Sequence, residues 1–330
     1  MSTMRAAFYT RQGEAAEVIR IAEQPRPEPG PGEVRVRLRS SGVNPSDWKM
    51  RRGGGGRALV APLIVPHSDG AGVIDAVGDG VPAARIGERV WTWNAQWRRA
   101  FGTAADYVAL PSAQAVPLPA ALGFAEGACL GIPAFTALHA VRLADCGPGQ
   151  RVLVAGGAGS VGHYAIQFAK LRGAEVIASV SSARKAAHAI AAGADHVVDY
   201  REQDLGDGVQ ALTGGAGVDR VIEVDLANNA AHYPKLLKPG ARVVVYGTTG
   251  LDVVLPAVAL MQKSAALSFF TIYEIAPGER EACLRELLPL LEDDLLLHTI
   301  GQLLPLEEIV RAHELVERGE VLGNVVLGID

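Results

Sequence analysis

Residues 151–162 read Arg-Val-Leu-Val-Ala-Gly-Gly-Ala-Gly-Ser-Val-Gly, and this stretch decides the fold. The apolar run 152–155 predicts a short buried parallel strand, and a cluster of glycines follows it directly. Residues 163–170 then carry apolar side chains at helical spacing. Strand, glycine turn and helix N-terminus in this order predict a dinucleotide site, because glycine lets the backbone approach a pyrophosphate and the helix offers free N–H groups. The alternative is a tight turn without a ligand.

The regions before and after this stretch differ in their predicted secondary structure. Residues 1–120 are rich in short strand patterns bounded by glycine, such as the strict alternation over 34–39. From 152 onward, strand and helix patterns alternate, which predicts a doubly wound parallel sheet. The predicted strands are 152–155, 175–180, 196–198, 219–224, 242–246 and 267–272. The predicted helices include 162–172, 183–192, 229–237, 279–291 and 306–318. A terminal strand at 324–327 is expected to rejoin the first domain.

Composition excludes several classes of function. The chain has 330 residues, 49% of them apolar, and a formal net charge of −5, so no electrostatic footprint for nucleic acid is present. Its three cysteines are too few and too dispersed for a disulfide framework or a paired-cysteine metal site. No apolar run reaches the roughly 18 residues of a membrane span, and the first residues lack an apolar signal core. We therefore expect a cytoplasmic protein with no membrane partner.

The end of the predicted second strand of the parallel sheet bears on cofactor choice. An NAD site usually places Asp or Glu there, for the ribose hydroxyls. This chain instead continues with Ser181, Ser182, Arg184 and Lys185, and Tyr200 follows the next strand. Hydroxyls and cations suit a 2′-phosphate through charge-assisted hydrogen bonds, which predicts NADPH. The alternative is that a serine caps the helix and the two cations are solvated.

Further motifs appear along the whole chain in a fixed order. They are residues 43–47 (Val-Asn-Pro-Ser-Asp), 69–73 (Asp-Gly-Ala-Gly-Val), 87–90 (Gly-Glu-Arg-Val), 101–107 (Phe-Gly-Thr-Ala-Ala-Asp-Tyr), 131–137 (Gly-Ile-Pro-Ala-Phe-Thr-Ala), the glycine turn, 192–194 and 199–201. With these motifs the chain resembles the zinc-independent quinone oxidoreductases, the zeta-crystallin-like branch of the medium-chain dehydrogenase/reductase superfamily. The resemblance implies an α/β protein with a GroES-like β-rich catalytic domain (1–120 and 275–330) and a Rossmann domain that binds NADPH (121–274).

The same resemblance implies that no metal is bound. Zinc-dependent members of the superfamily hold a catalytic zinc through a cysteine and a histidine, and the matching positions here are Asn44 and Ser68. A carboxamide and a hydroxyl do not replace a thiolate and an imidazole in a tetrahedral zinc site. His67, one residue away, is read as an ordinary hydrogen-bonded histidine.

The resemblance also implies site residues. Asn44, Lys49 and Thr136 are assigned to catalysis; Lys49 stands where the family has a tyrosine. The cofactor-binding residues are Asn44, Thr136, Gly156, Gly157, Gly159, Ser160, Val161, Gly162, Ser181, Ser182, Arg184, Lys185, Tyr200, Gly247, Thr248, Phe269, Phe270 and Asn324.

The implied activity is NADPH-dependent reduction of quinones or related conjugated carbonyls by metal-free hydride transfer. The alternatives are a 2-enoyl thioester or enone reductase, and a non-catalytic NADPH-binding protein of the crystallin kind. The expected partners are a small-molecule quinone or enone and a second copy of the chain. We expect a homodimer, because the apolar last strand of the Rossmann sheet would otherwise leave an exposed edge.

Overall fold

The computed structural model describes residues 2–56 and 58–329, and its chain divides into two compact units. Unit 1 comprises Met1–Pro133 and Leu290–Asp330, and unit 2 comprises Ala134–Pro289. Elements are numbered along the whole chain. Within the described part, no helix is both long and apolar enough to cross a bilayer.

Unit 1 is predominantly β-structure. Its strands are β1 Thr3–Phe8, β2 Arg20–Pro25, β3 Glu33–Val43, β4 Asp69–Val77, β5 Arg89–Thr92, β6 Tyr107–Pro111, β7 Ala115–Pro117, β14 Ile300–Pro305 and β15 Asn324–Gly328. Its helices are α1 Ala15–Val18, α2 Pro45–Arg51, α3 Phe124–Gly127 and α12 Ile309–Arg318.

The long strand β3 organises the main sheet of unit 1. The order is β14-β15-β3-β4-β5-β7, and β6 also pairs with β3. β15 runs antiparallel to β3, so the C-terminal strand rejoins the first domain, as the sequence predicts. Buried Ala312 of α12 and Leu327 of β15 share one apolar core cluster, which anchors the C-terminal helix in this unit. Unit 1 also keeps α3, which packs against β3 and β4, and therefore extends past residue 120.

Unit 2 alternates strands and helices. Its strands are β8 Arg151–Val154, β9 Glu175–Val180, β10 His196–Asp199, β11 Val218–Glu223, β12 Leu237–Val245 and β13 Ala266–Phe269. The helices are α4 Phe135–Ala144, α5 Ser160–Leu171, α6 Ala183–Ala191, α7 Leu205–Thr213, α8 Leu226–Asn229, α9 Tyr233–Leu236, α10 Ala257–Gln262 and α11 Pro277–Glu292, whose last turn extends past Pro289.

The sheet of unit 2 is parallel throughout and has the order β10-β9-β8-β11-β12-β13. The first strand lies in the middle and the order reverses beside it, which is the doubly wound Rossmann arrangement. The α/β fold class predicted from the glycine turn is therefore confirmed. Ligands of such sheets bind at the carboxyl ends of the strands, next to the reversal.

Two predicted elements of unit 2 are wrong in detail. The helix predicted over 229–237 is broken into α8, a 3₁₀ turn and α9, because Pro234 lacks an N–H and fits only in the first turn of a helix. The strand predicted over 267–272 ends at Phe269, which pairs with Val245, the last residue of β12. Ile272 instead begins a 3₁₀ turn.

Candidate active site

The glycine turn joins β8 to α5 in unit 2. Gly156 has φ +65°, a backbone conformation that favours glycine, and its N–H donates to Ser179 Oγ at 3.0 Å. The Gly157 N–H donates to the Ser179 carbonyl at 3.0 Å. Ser179 lies on β9, so the turn is held against the neighbouring strand. This fixes the main chain of the turn before any ligand arrives.

Gly162 allows α5 to start directly on the turn. A Cβ on Gly162 would lie 2.3 Å from the Gly156 carbonyl oxygen, so no larger residue fits. The first main-chain bond of α5 runs from the His163 N–H to the Gly159 carbonyl at 2.9 Å. The N–H groups of Ser160, Val161 and Gly162 precede it and form the positive end of the helix. The turn therefore fits a pyrophosphate.

Two of the residues predicted to bind the 2′-phosphate follow neighbouring strands, at the carboxyl edge of β9 and β10. Val180 and Asp199 are register partners at the ends of these strands, so Ser181 and Tyr200 follow side by side. Ser181 is buried, whereas Tyr200 is half-exposed. A serine and a tyrosine therefore follow neighbouring strand ends where an NAD site usually has its acidic residue.

The first turn of α6 supplies the cations. Ser182 caps this helix, since its side chain accepts from the Lys185 N–H at 3.3 Å. Arg184 is exposed and Lys185 is partly buried, both within one turn of the cap. The predicted helix cap and the predicted cations therefore lie in the same turn, and the cap uses the main-chain N–H of Lys185.

Four other predicted residues line one cavity of about 1160 Å³ in unit 2: Gly247, Thr248, Phe269 and Phe270. His139 of α4 lines it as well, and sequence reasoning missed this residue because its helical position carries no motif. Its ring meets Phe270 edge-on, with centroids 4.6 Å apart. Burial lowers the pKa of His139, so the imidazole is neutral at physiological pH. The cavity is lined mainly by apolar side chains, with Arg142, Glu274 and Glu279 also on its wall, and it contains this one neutral, buried histidine.

Thr136 is the second residue of α4. Its side chain is buried, and Oγ1 has no hydrogen-bond partner among residues 2–56 and 58–329. A hydroxyl buried in this way costs free energy unless something else satisfies it. This orphaned group agrees with a ligand-facing role for Thr136.

In unit 1, Asn44 stands at the N-cap of α2 and is almost fully buried. Its Nδ2 donates to Asp69 Oδ2 at 2.8 Å, across the β3–β4 pair. The Ile132 N–H donates to the same oxygen at 3.0 Å. Asn44 is therefore held by a residue 25 positions away, and one hydrogen of its amide is used in doing so. The sequence motif contains Asp69 but gives no sign of this pairing.

The Asp69 carboxyl group is fully buried. Burial raises the pKa of Asp69 well above its usual range, although its hydrogen bond from Asn44 lowers it. Oδ1 has no hydrogen-bond partner within the described residues. A Cβ at Gly131 would lie 2.3 Å from this Oδ1 and 2.5 Å from the Thr92 carbonyl oxygen, so both oxygens face one small space. Asp69 Oδ2 thus has two donors, and burial favours the neutral form of the acid.

The remaining predicted residues of unit 1 lie on two elements. Lys49 is on α2, with Nζ 5.7 Å from the centre of the Trp48 ring. Asn324 begins β15, where both its N–H and its Nδ2 donate to the Thr299 carbonyl at 2.9 Å. That side chain already serves the sheet, and the cofactor role assigned to it stays a prediction.

Two family models match the chain. "Alcohol dehydrogenase GroES-like domain" covers residues 30–120, and "Zinc-binding dehydrogenase" covers residues 160–293. The chain is 32% identical to human quinone oxidoreductase over 88% of this chain and 87% of that protein. The chain belongs to the quinone oxidoreductase family of medium-chain dehydrogenases/reductases. It is accordingly an oxidoreductase.

Solved structures of this superfamily share the fold over the whole chain. One titled an NAD-dependent alcohol dehydrogenase has a TM-score of 0.90 and 34% identity, covering 99% of this chain and 100% of that one. A mycobacterial protein complexed with NADPH has a TM-score of 0.88 and 29% identity, covering 99% of this chain and 100% of that one. The two titles differ in cofactor, so cofactor choice has to be argued from the residues of this chain.

One of the two family descriptions names zinc, and the metal-ligand positions of this chain are occupied as follows. Within residues 2–56 and 58–329, no group of three or more His, Cys, Asp or Glu side chains is arranged to hold a metal ion. Ser68 is buried, and Asn44 is committed to Asp69. All three cysteines are free and buried, and burial raises the pKa of Cys146 to about 12 and of Cys283 to about 11. Those two thiols are therefore protonated at neutral pH.

Asp47, the acid that accepts from the Asn44 N–H at 2.7 Å, makes stability depend on pH. Burial raises the pKa of Asp47 to about 7, against the lowering effect of that hydrogen bond. The unfolded side chain titrates near 3.9. Between these values the folded chain holds a proton that the unfolded chain releases, so the free energy of unfolding falls as pH rises from about 4 to 7 and is level above.

Asp47→Asn cannot titrate but keeps an acceptor oxygen. We expect the free energy of unfolding of this variant to gain on the wild type by roughly 2–4 kcal/mol as pH rises from 4 to 7. Urea unfolding at several pH values measures the difference. Asp79→Asn, at an exposed acid of the same unit, is the control and should stay parallel to the wild type. Parallel curves for Asp47→Asn would contradict the raised pKa.

Proposed function

We propose that this oxidoreductase is an NADPH-dependent reductase of quinones or related conjugated carbonyls that needs no metal. The observation that carries the proposal is the Asn44 carboxamide, held by Asp69 where zinc-dependent relatives place a thiolate ligand. Such a site offers a hydrogen-bond donor and no Lewis acid. It therefore suits acceptors that are already electrophilic.

The cofactor assignment is supported by the carboxyl edge of the unit 2 sheet. The glycine turn and the N-terminus of α5 would hold the pyrophosphate. Ser181, Ser182, Arg184, Lys185 and Tyr200 would hold a 2′-phosphate, since the neighbouring strand end carries no acid. Thr136 and the lining residues Gly247, Thr248, Phe269 and Phe270 are assigned to the nicotinamide end. Bound NADPH supplies the hydride.

The protein's own contribution is to orient the acceptor, exclude water and stabilise developing charge. A quinone or enone takes hydride at carbon, and its electron pair moves onto oxygen. Asn44 keeps a second Nδ2 hydrogen beyond the one it gives to Asp69, and we assign that hydrogen to this oxygen. A preorganised donor of this kind stabilises charge as it develops. The proton that completes the reduction comes from water.

A panel of acceptors tests the reaction class. Purified protein is expected to oxidise NADPH with a simple quinone and with an enone, and to oxidise secondary alcohols with NADP⁺ slowly if at all. Faster turnover of a 2-enoyl thioester than of quinones would favour the alternative reductase. Tight NADPH binding without any turnover would favour the non-catalytic alternative. Rapid alcohol oxidation without quinone or enone turnover would refute the proposal.

Metal analysis of the same preparation tests the mechanism. We expect far less than one zinc per chain and unchanged activity after treatment with a chelator, because Asn44 and Ser68 are not zinc ligands of the usual kind. About one zinc per chain, removable with loss of activity, would contradict the metal-free mechanism. The acceptor panel is unaffected by this outcome.

We propose a homodimer formed along β13. This strand is the last in the order of the unit 2 sheet, and Phe269 at its end is 61% exposed. Leu251 and Val254, in the loop before α10, are 84% and 93% exposed. Pairing two edges by two-fold symmetry would cover them.

Sedimentation at micromolar concentration is expected to give twice the mass of the chain. Val254→Lys should shift the species toward monomer, because its charge would be buried in the interface. Ile190→Lys, at an exposed apolar residue of α6, is the matched control. A monomeric wild type would contradict the proposal.

We also propose that the protein works in the cytoplasm. All three cysteines are free and buried, which agrees with a reducing compartment.

A further inference from the structure

Two histidines of unit 1 are fully buried against each other. The Nε2 atoms of His67 and His313 are 3.0 Å apart, and their ring centroids are 5.1 Å apart. His67 also has φ +76°, a backbone conformation that favours glycine. A non-glycine residue persists there only when its surroundings hold it in place. The side chain of His67 therefore has contacts that outweigh the cost of its backbone.

In the chain of side-chain hydrogen bonds that includes His67, the donor and the acceptor of each bond can be deduced. Thr103 Oγ1 donates to the Asp69 carbonyl at 2.5 Å, because a carbonyl only accepts. Its single hydrogen is then used, so Ser41 Oγ must donate to Thr103 at 2.8 Å. Ser41 in turn accepts from His67 Nδ1–H at 2.8 Å. His67 Nε2 consequently carries a lone pair, and His313 Nε2–H donates to it.

This chain of bonds ends on the residue that holds Asn44. Its last acceptor is the main-chain oxygen of Asp69, and the Asp69 side chain receives the Asn44 amide at 2.8 Å. Every member is almost completely buried, so water does not compete with these bonds. The network links α12, β3 and the start of β4 into one rigid unit behind Asn44.

We propose that His313, His67, Ser41 and Thr103 form a positioning network that fixes Asp69 and thereby aims the Asn44 amide at the acceptor oxygen. The proposal rests on the donor role of Asn44 in the proposed function. None of the four residues needs to touch the acceptor or the cofactor. Each acts through Asp69, and the network is expected to affect the rate of the chemical step and not the affinity for NADPH.

Thr103 offers the sharpest test, because valine has nearly the same shape and lacks the hydroxyl. Thr103→Val is expected to lower kcat for quinone reduction about tenfold, since small misplacements of a catalytic group are costly. The Kd for NADPH should not change. Thr103→Ser keeps the donor and should stay within about twofold of the wild type.

A double-mutant cycle with Asn44→Ala separates positioning from a purely structural role. If Thr103 acts through Asn44, Thr103→Val should cause no further loss of kcat in the Asn44→Ala background. Equal losses in both backgrounds, or full kcat in Thr103→Val alone, would overturn the network while leaving the donor role of Asn44 intact. An unchanged kcat in Asn44→Ala alone would instead remove the donor role, and the network proposal with it.

A measurement on the unaltered protein guards against variants that do not fold. Nitrogen-15 NMR of labelled histidines should show His67 with its proton on Nδ1 and His313 with its proton on Nε2. Neither ring should titrate between about pH 5 and 8, because burial lowers the pKa of both histidines, that of His67 to about 3. The opposite tautomer of His67, or a ring that titrates in this range, would overturn the network.

Discussion

Asn44→Ala is expected to lower kcat for quinone reduction by about 10²–10³-fold, with little change in the Kd for NADPH. One donor aimed at a developing oxyanion contributes about 2.7–4 kcal/mol to stabilising the transition state. The amide is buried, and its hydrogen bond to Asp69 Oδ2 at 2.8 Å already orients it, so no reorganisation is needed when charge develops on the acceptor oxygen. Steady-state kinetics at saturating NADPH, with cofactor affinity from fluorescence titration, measure both quantities.

Two further variants serve as a comparison and a control for Asn44→Ala. Asn44→Asp keeps the size of the side chain and replaces the donor with a carboxyl group beside buried Asp69, so it should lose at least as much activity. Gln203→Ala removes an exposed amide and should behave like the wild type. A normal rate in Asn44→Ala would leave the reaction class standing and would take the oxygen-binding role away from Asn44.

Arg184→Ala combined with Lys185→Ala should change cofactor preference. Each charge-assisted phosphate contact is worth about 1.5–3 kcal/mol, so the double variant should bind NADPH at least 100-fold more weakly. NADH lacks the 2′-phosphate, and its affinity should change less than about threefold. Both residues lie on the first turn of α6, which begins directly after Ser181 and Ser182.

The control for this pair removes equal charge elsewhere. Arg311→Ala with Arg318→Ala affects two exposed arginines of α12 in unit 1 and should leave the ratio of NADPH to NADH affinity unchanged. Equal weakening of both cofactors in Arg184→Ala with Lys185→Ala, or a wild type that prefers NADH, would refute the phosphate assignment. In that case the two cations are solvated and Ser182 serves only as a helix cap.

Local patterns were enough to predict the fold of unit 2. A strand, a glycine turn and a helix over 151–171 follow from periodicity and glycine spacing within a short stretch. The parallel order of the sheet follows from repetition of such units. The errors arose where a local rule was incomplete: Pro234 interrupts the predicted helix, and β13 stops where its partner strand stops.

The buried polar contacts of unit 1 are ones that no local pattern contains. Asn44 and Asp69 are 25 residues apart, Ser41 and Thr103 are 62 apart, and His67 and His313 are 246 apart. Sequence reasoning marked Asn44 from the resemblance but treated His67 as an ordinary residue and gave Asp69 no role.

The sequence by itself therefore determined the Rossmann sheet, its glycine turn and the polar residues at the end of its second strand, because helical and strand periodicity act within single elements. The tertiary structure decided which buried polar groups pair with each other. It did so by laying β3 between β4 and β15 and by placing α12 against the same core. Burial then required each donor to find an acceptor, and strand pairing together with the packing of α12 determined which residues were within reach.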